Sequence, residues 1–151
     1  MGDFLMNDNI NFINVLYQNA EMGIIGINDI TSHITNNKLR KEINREKKEY
    51  QNIVNACKKL MKKEKNECKS ISIMAKMSSS MYSEMKLLKD DSDQIIIKMM
   101  IEGTYKSIGI LTTKEMEYKN IANEVKKLNN KFILTLMDNV NNLKNIMKLY
   151  K

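Results

Sequence analysis

LRKEINREKKEYQNIVNACKKL, residues 39 to 60, is the stretch whose reading decides the fold. Leu39, Ile43, Tyr50, Ile53, Cys57 and Leu60, with Glu46 completing the series, recur at steps of three and four, as one face of an α-helix requires. Glu46 is the exception, a carboxylate in an otherwise apolar seam. An unpaired buried charge is costly, so Glu46 must be metal-bound, hydrogen-bonded, protonated, or less buried than the pattern implies.

The same spacing extends outward from this helix, whose bounds the pattern sets at 38–63. Ile10, Ile13, Leu16, Tyr17, Ala20, Ile24, Ile27, Ile30 and Ile34 predict a helix over 9–34, with Asn7 or Asp8 as its N-cap. Asn36-Asn37 then makes a short turn, so the first two helices form an antiparallel hairpin. Met74, Met77, Met81, Met85 and Leu88 stripe an amphipathic helix over 70–88. Asp91 and Gln94 resemble a capping box opening a helix over 92–114, whose runs Ile95-Ile96-Ile97 and Met99-Met100-Ile101 predict the most buried helix. Ile121, Val125, Leu128, Phe132, Leu136, Val140, Leu143, Met147 and Tyr150 place the last helix over 120–150. Glu117 to Asn120 is read as the turn before it.

With no proline and five glycines in 151 residues, helix breakers are nearly absent, and the fold class is all-α in a single domain, 1–151. About 30 residues separate the second and third long helices. A crossover of that length containing an 18-residue helix, about 27 Å long, carries the chain from one end of a bundle to the other. Gly23, Gly26, Gly103 and Gly109 lie inside predicted helices, and the repeat Ile25-Gly26-Ile27 and Ile108-Gly109-Ile110 predicts close backbone packing of the first helix on the third. A longer repeat, EYQNIVNACKKL at 49–60 and EYKNIANEVKKL at 117–128, competes with that register and draws on the same Asn, Lys and Glu pool.

No apolar run reaches the length of a membrane span, and the start MGDFLMNDNI lacks the pattern of an export signal; a cytoplasmic location is expected. Cys57 and Cys68 form neither a disulfide framework nor a metal-ligand spacing. The net charge of +7 rests on a Lys-rich, Asn-rich composition that coding bias explains as well as an acidic partner does. Nucleic acid is not an expected partner: there is no motif, no Trp, two Arg and little aromatic interleaving. The lysines from Lys58 to Lys69 leading into the Met-striped helix suit a membrane surface or another protein, or simply a solvated helix end.

With these helices in place, the chain resembles the ferritin-like superfamily, and more closely its small uncharacterised bacterial members, some of them spore-coat-associated. The resemblance spans nearly the whole chain. It rests on the helix pattern, the crossover length and the motifs Asn19-x-x-Met22-Gly23 and Met99-Met100-Ile101-Glu102-Gly103. It implies a four-helix bundle with a long crossover between the second and third long helices, containing the additional Met-rich helix. In active members, one Glu on each of two helices and Glu-x-x-His on the other two hold two iron or manganese ions.

Matched residue by residue, the first helix offers Glu21 at the edge of its apolar face. The second offers Glu46 and Glu49, with Asn52 where a histidine would stand, and the third offers Glu102 between Lys98 and Lys106. Asp138-x-x-Asn141 points away from the seam, and His33, the sole histidine, lies off the apolar stripe near the end of the first helix. Both expected histidines are missing. A carboxylate-only site from Glu21, Glu46, Glu49 and Glu102 for Fe or Mn is the alternative reading. The main reading gives Glu46 a hydrogen bond to Tyr17, Thr31 or Asn129, or a snorkelling side chain, and makes Asn129 its counterpart across the bundle. The expectation is a non-enzymatic bundle without cofactor, acting as a homo-oligomer or on another protein.

Overall fold

Asn36 starts the second helix. Its side-chain oxygen accepts hydrogen bonds from the backbone N–H groups of Lys38 and Leu39 at 2.8 and 3.1 Å, the arrangement of an N-cap. The computed structural model describes residues 2–71 and 93–150, with side chains from residue 8 onward. Among them are four long helices, α1 (Gly2–Ile30), α2 (Asn37–Lys63), α3 (Asp93–Glu117) and α4 (Asn123–Met147), with 3-10 turns at Thr31–His33 and Lys148–Tyr150. The described residues contain no strand, so the chain is all-helical over this extent. The Met-striped segment from 72 to 88 and the cap at Asp91 lie outside the described residues. Ser70 and Ile71 are not helical.

Side-chain pairs fix the helix directions. Asn9 meets Glu64 near the start of α1 and the end of α2, while Gly23 meets Tyr50 further along, so α1 and α2 are antiparallel. Phe12 packs on Tyr118 and Asn19 accepts from Ser107, which sets α3 antiparallel to α1. Lys63 reaches Glu124 and Arg45 reaches Asn139, so α4 is antiparallel to α2. The helices α2 and α3 therefore run the same way. The chain leaves α2 at the end where Asn9 sits and enters α3 at the opposite end, beside Thr35.

Each end is tied by one polar residue. Asp93 accepts from the Thr35 N–H at 3.1 Å, and at 2.9 Å each from the Thr35 hydroxyl, the Asn36 N–H and the Tyr150 hydroxyl. It thus joins the start of α3 to the α1–α2 turn and to the C-terminal 3-10 turn. At the other end Asn9 donates to Glu64 at 2.8 Å and accepts from the Ala122 N–H at 3.0 Å. Beyond α2, Lys65 takes φ 54°, and its N–H and that of Asn66 bond to Lys62 and Met61 carbonyls, a helix stop that usually employs glycine.

Several expectations are corrected. Asn7 and Asp8 do not cap α1, which continues back to Gly2, and Asp8 accepts from the Lys119 N–H instead. The first helix stops at Ile30 rather than 34, the third continues to Glu117, and the fourth begins at Asn123. Residues 118–122 form the connection. The α2 seam closes on Met61, fully buried, rather than Leu60, because a step of four from Cys57 keeps the side chain facing the core. On α3, Tyr105 and Met116 are 50% and 80% exposed, so it is not the most buried helix: apolar residues all around a helix cannot all face its two neighbours. Gly109 is also exposed, and a Cβ at that position would meet nothing within 4 Å, so the Ile-Gly-Ile repeat does not mark a close approach there.

Candidate functional site

Residues three and four apart on a helix share a face, so α2 brings Glu42, Arg45, Glu46, Glu49 and Tyr50 together. Glu46 is fully buried, and neither of its carboxyl oxygens meets a well-aligned hydrogen-bond partner. Burial, then the neighbouring Glu42 carboxylate, pushes its pKa up to about 10, with Arg45 only partly opposing. Glu46 is therefore protonated at neutral pH. Of the four states open to a carboxylate in this seam, protonation is the one that accounts for its burial.

Glu42 keeps its charge. Burial alone would raise it, but Arg45 holds it below its ordinary value through hydrogen bonds of 3.0 Å from Nε and 2.6 Å from Nη2, helped by its proximity to the Glu46 proton. The same Nη2 donates to the Asn139 side-chain oxygen at 2.7 Å, and Asn142 reaches Glu42 at 3.5 Å. Arg45 also lies 3.8 Å from Glu49. The guanidinium thus occupies the place beside the carboxylates that a cation would take.

Tyr50 continues this line toward α3. Its ring packs edge-on against Phe132 at 6.1 Å and presses on Gly23 of α1, where a Cβ would come within 2.7 Å of the ring carbons. Burial and then Glu46 raise its pKa, while Thr104 and Asn139 oppose. Gly23 therefore does need its missing side chain, but to accept an aromatic ring rather than another backbone.

The candidate ligands do not come together. Glu21 is half-buried on α1, Glu49 is half-exposed beside Arg45, and Glu102 is exposed on α3. Among the described residues no three His, Cys, Asp or Glu side chains converge as a metal ion needs, and a di-iron or di-manganese pair does not fit this donor set. His33 is half-buried in the 3-10 turn after α1.

Two of the three expected partners of Glu46 are engaged elsewhere. Thr31 donates to the Ile27 carbonyl, and Asn129 to the Leu111 carbonyl and to Glu115. The buried α4 residue that α2 reaches at this level, through Arg45, is Asn139, ten positions and about 15 Å further along α4 than Asn129. Asn139 lies three residues after Leu136 and four before Leu143, so its place on the seam was legible in the spacing. Beside this network a shallow cleft of about 360 Å³ opens between α2 and α4, bordered by Lys38, Lys41, Arg45, Asn142 and Asn145. No family model matches the chain, and no curated protein and no solved structure matches it.

Proposed function

We propose that this chain is a non-enzymatic ferritin-like bundle, with the Met-rich helix in its crossover, that acts through its surface as a structural or protein-interaction module. The observation that carries this reading is Arg45. Placed between Glu42, Glu49 and Asn139, it offsets the buried Glu42 charge as a metal would, the Glu46 proton removes a second charge, and Glu49 keeps its own at the half-exposed edge. A polar network that joins α2 to α4 through Arg45 and Asn139 fixes helix register. Exposed Leu134 and Met137 on α4, together with Tyr105 and Met116 on α3, favour assembly into a homo-oligomer or onto another protein. A cytoplasmic or spore-associated setting goes with the family it resembles.

Elemental analysis of purified protein, combined with light-scattering mass, tests this. The expected result is no stoichiometric Fe or Mn and no change in melting temperature on adding either. A near-integer metal content abolished by Glu46→Ala would support the carboxylate-only alternative. The other alternative, membrane-surface binding through the basic Met-striped helix, is tested by co-sedimentation with anionic vesicles at low salt.

A further inference from the structure

The charge of this molecule is sorted onto one helix. Within Asn37–Lys63, α2 carries ten of the chain's 25 basic residues, both arginines included, and three of its 18 acidic ones. Its formal charge of +7 therefore equals that of the whole protein, and the rest of the chain sums to zero. A lysine-rich coding bias would load all four helices alike.

The sorting continues within the helix. None of the three carboxylates lies on the outer crest: Glu46 is buried, and Glu42 and Glu49 flank Arg45 at the helix edge. The outer crest contains Lys41, Lys48, Lys59 and Lys62, interleaved with the amides Asn44, Asn52 and Asn55, all exposed. Lys38, Arg40, Lys58 and Lys63 widen it on both flanks, and of these Lys63 alone has an ion pair among the described residues. No exposed apolar or aromatic side chain interrupts this face.

We propose that the outer face of α2 binds double-stranded nucleic acid through its phosphate backbone. This rests on the reading of the bundle as a surface-acting module. Lysine-rich faces without aromatic anchors are poor protein-binding surfaces, since lysine is depleted at interfaces and binding energy concentrates on buried aromatic and arginine anchors. A lipid bilayer is a plane that meets only the crest of such a helix, and among the described residues this face offers no exposed apolar side chain to insert. A duplex groove has a phosphate rail on either side, and the major groove is wide enough for a helix, so crest and flanks are engaged together. From Lys41 to Lys62 the crest runs about 32 Å, close to one duplex turn. Missing aromatics and a shortage of arginine argue against base stacking and sequence readout; they do not argue against contact with phosphates, which lysine and asparagine make.

Binding of a fluorescently labelled duplex of mixed sequence, followed by anisotropy at low salt, tests this. Two quadruple variants remove equal charge: Lys41→Gln, Lys48→Gln, Lys59→Gln and Lys62→Gln on α2, and Lys98→Gln, Lys106→Gln, Lys127→Gln and Lys131→Gln on α3 and α4. Circular dichroism melting confirms that both are folded.

With about five phosphates contacted, wild-type affinity falls about 10²–10³-fold between 50 and 200 mM salt. The α2 variant loses at least about 50-fold with a shallower salt dependence, and the control changes less than about threefold. Equal losses in both variants, no duplex binding by wild type at low salt, or tighter binding to anionic vesicles than to duplex would each overturn the proposal. A protein that holds stoichiometric metal yet binds duplex refutes only the metal-free reading. A metal-free protein that ignores duplex refutes only this one.

Discussion

Replacing Glu46 with glutamine should stabilise the protein, and increasingly so as the pH rises. Between the ordinary carboxyl value of 4.5 and the folded value of about 10, the folded chain holds a proton at Glu46 that the unfolded chain has released. Stability therefore falls with rising pH, by about 1.4 kcal/mol per unit for a group titrating alone. From pH 5 to pH 8 this reaches about 4 kcal/mol, a large fraction of the 5–15 kcal/mol typical of a domain. Glutamine keeps the volume and the donor that faces Glu42 but cannot ionise in the unfolded chain, so it removes the slope.

Urea unfolding of both proteins, followed by circular dichroism across pH 5 to 9, measures the difference. Near pH 5 the two should differ by less than about 1 kcal/mol, and by pH 8 the variant should lead by about 2–4 kcal/mol, or about 5–15 °C in melting temperature. Titrating groups remote from Glu46 contribute equally to both proteins and cancel, while Glu42 is held ionised by Arg45 and adds little slope above its ordinary range. A difference that stays flat with pH, or a variant less stable than wild type at pH 8, would refute the assignment of a buried, protonated Glu46.

Asp93→Asn should cost about 2–3 kcal/mol at neutral pH, because the Thr35 and Asn36 N–H groups bond to different oxygens and the amide nitrogen that replaces one of these cannot accept. Burial raises the Asp93 carboxyl, but its four hydrogen bonds outweigh that and hold it below 3.8, so in urea melts the deficit should shrink as pH drops through that folded value. Thermal melts of two glycine variants should diverge: Gly109→Ala, in open space, gains about 0.5–1 kcal/mol, whereas Gly23→Ala drives a Cβ against the buried Tyr50 ring and loses about 1–2 kcal/mol net. Under a thiol reagent at mildly alkaline pH, half-buried Cys68 should react well before Cys57, which is fully buried with its thiol pushed up to about 12; equal rates would contradict the packing of α2.

Periodicity exposed α2 because one row, apolar but for Glu46, faces the core; the same row raised the burial of Glu46 as a question that the packing of the helices answers. Its neutralisation was harder to foresee, since it depends on Arg45 satisfying Glu42 rather than Glu46, and side-chain geometry decides which carboxylate a guanidinium takes. The face of α3 was not legible: with Ile95 to Ile97 and Met99 to Ile101 apolar on every side, no stripe distinguishes the buried positions. Asp93 was hidden for a different reason. Its partners lie 57 and 58 residues away on two other segments, and local spacing carries no trace of them.

The placement of charge along α2 is the point at which local helix physics stops accounting for the chain. Lys58, Lys59, Lys62 and Lys63 sit near its C-terminus, where the helix dipole favours cations, although the pairs four apart repel. Lys38, Arg40 and Lys41 sit at the opposite end, where the same dipole disfavours them, and the first turn holds no acidic residue to compensate. Protonated Glu46 adds one more uncompensated charge, leaving the helix near +8. A helix selected only to pack in a bundle gains nothing from cations at its N-terminus. A helix whose outer face meets a row of phosphates does, because the partner supplies along its whole length the negative charge that the outer crest lacks.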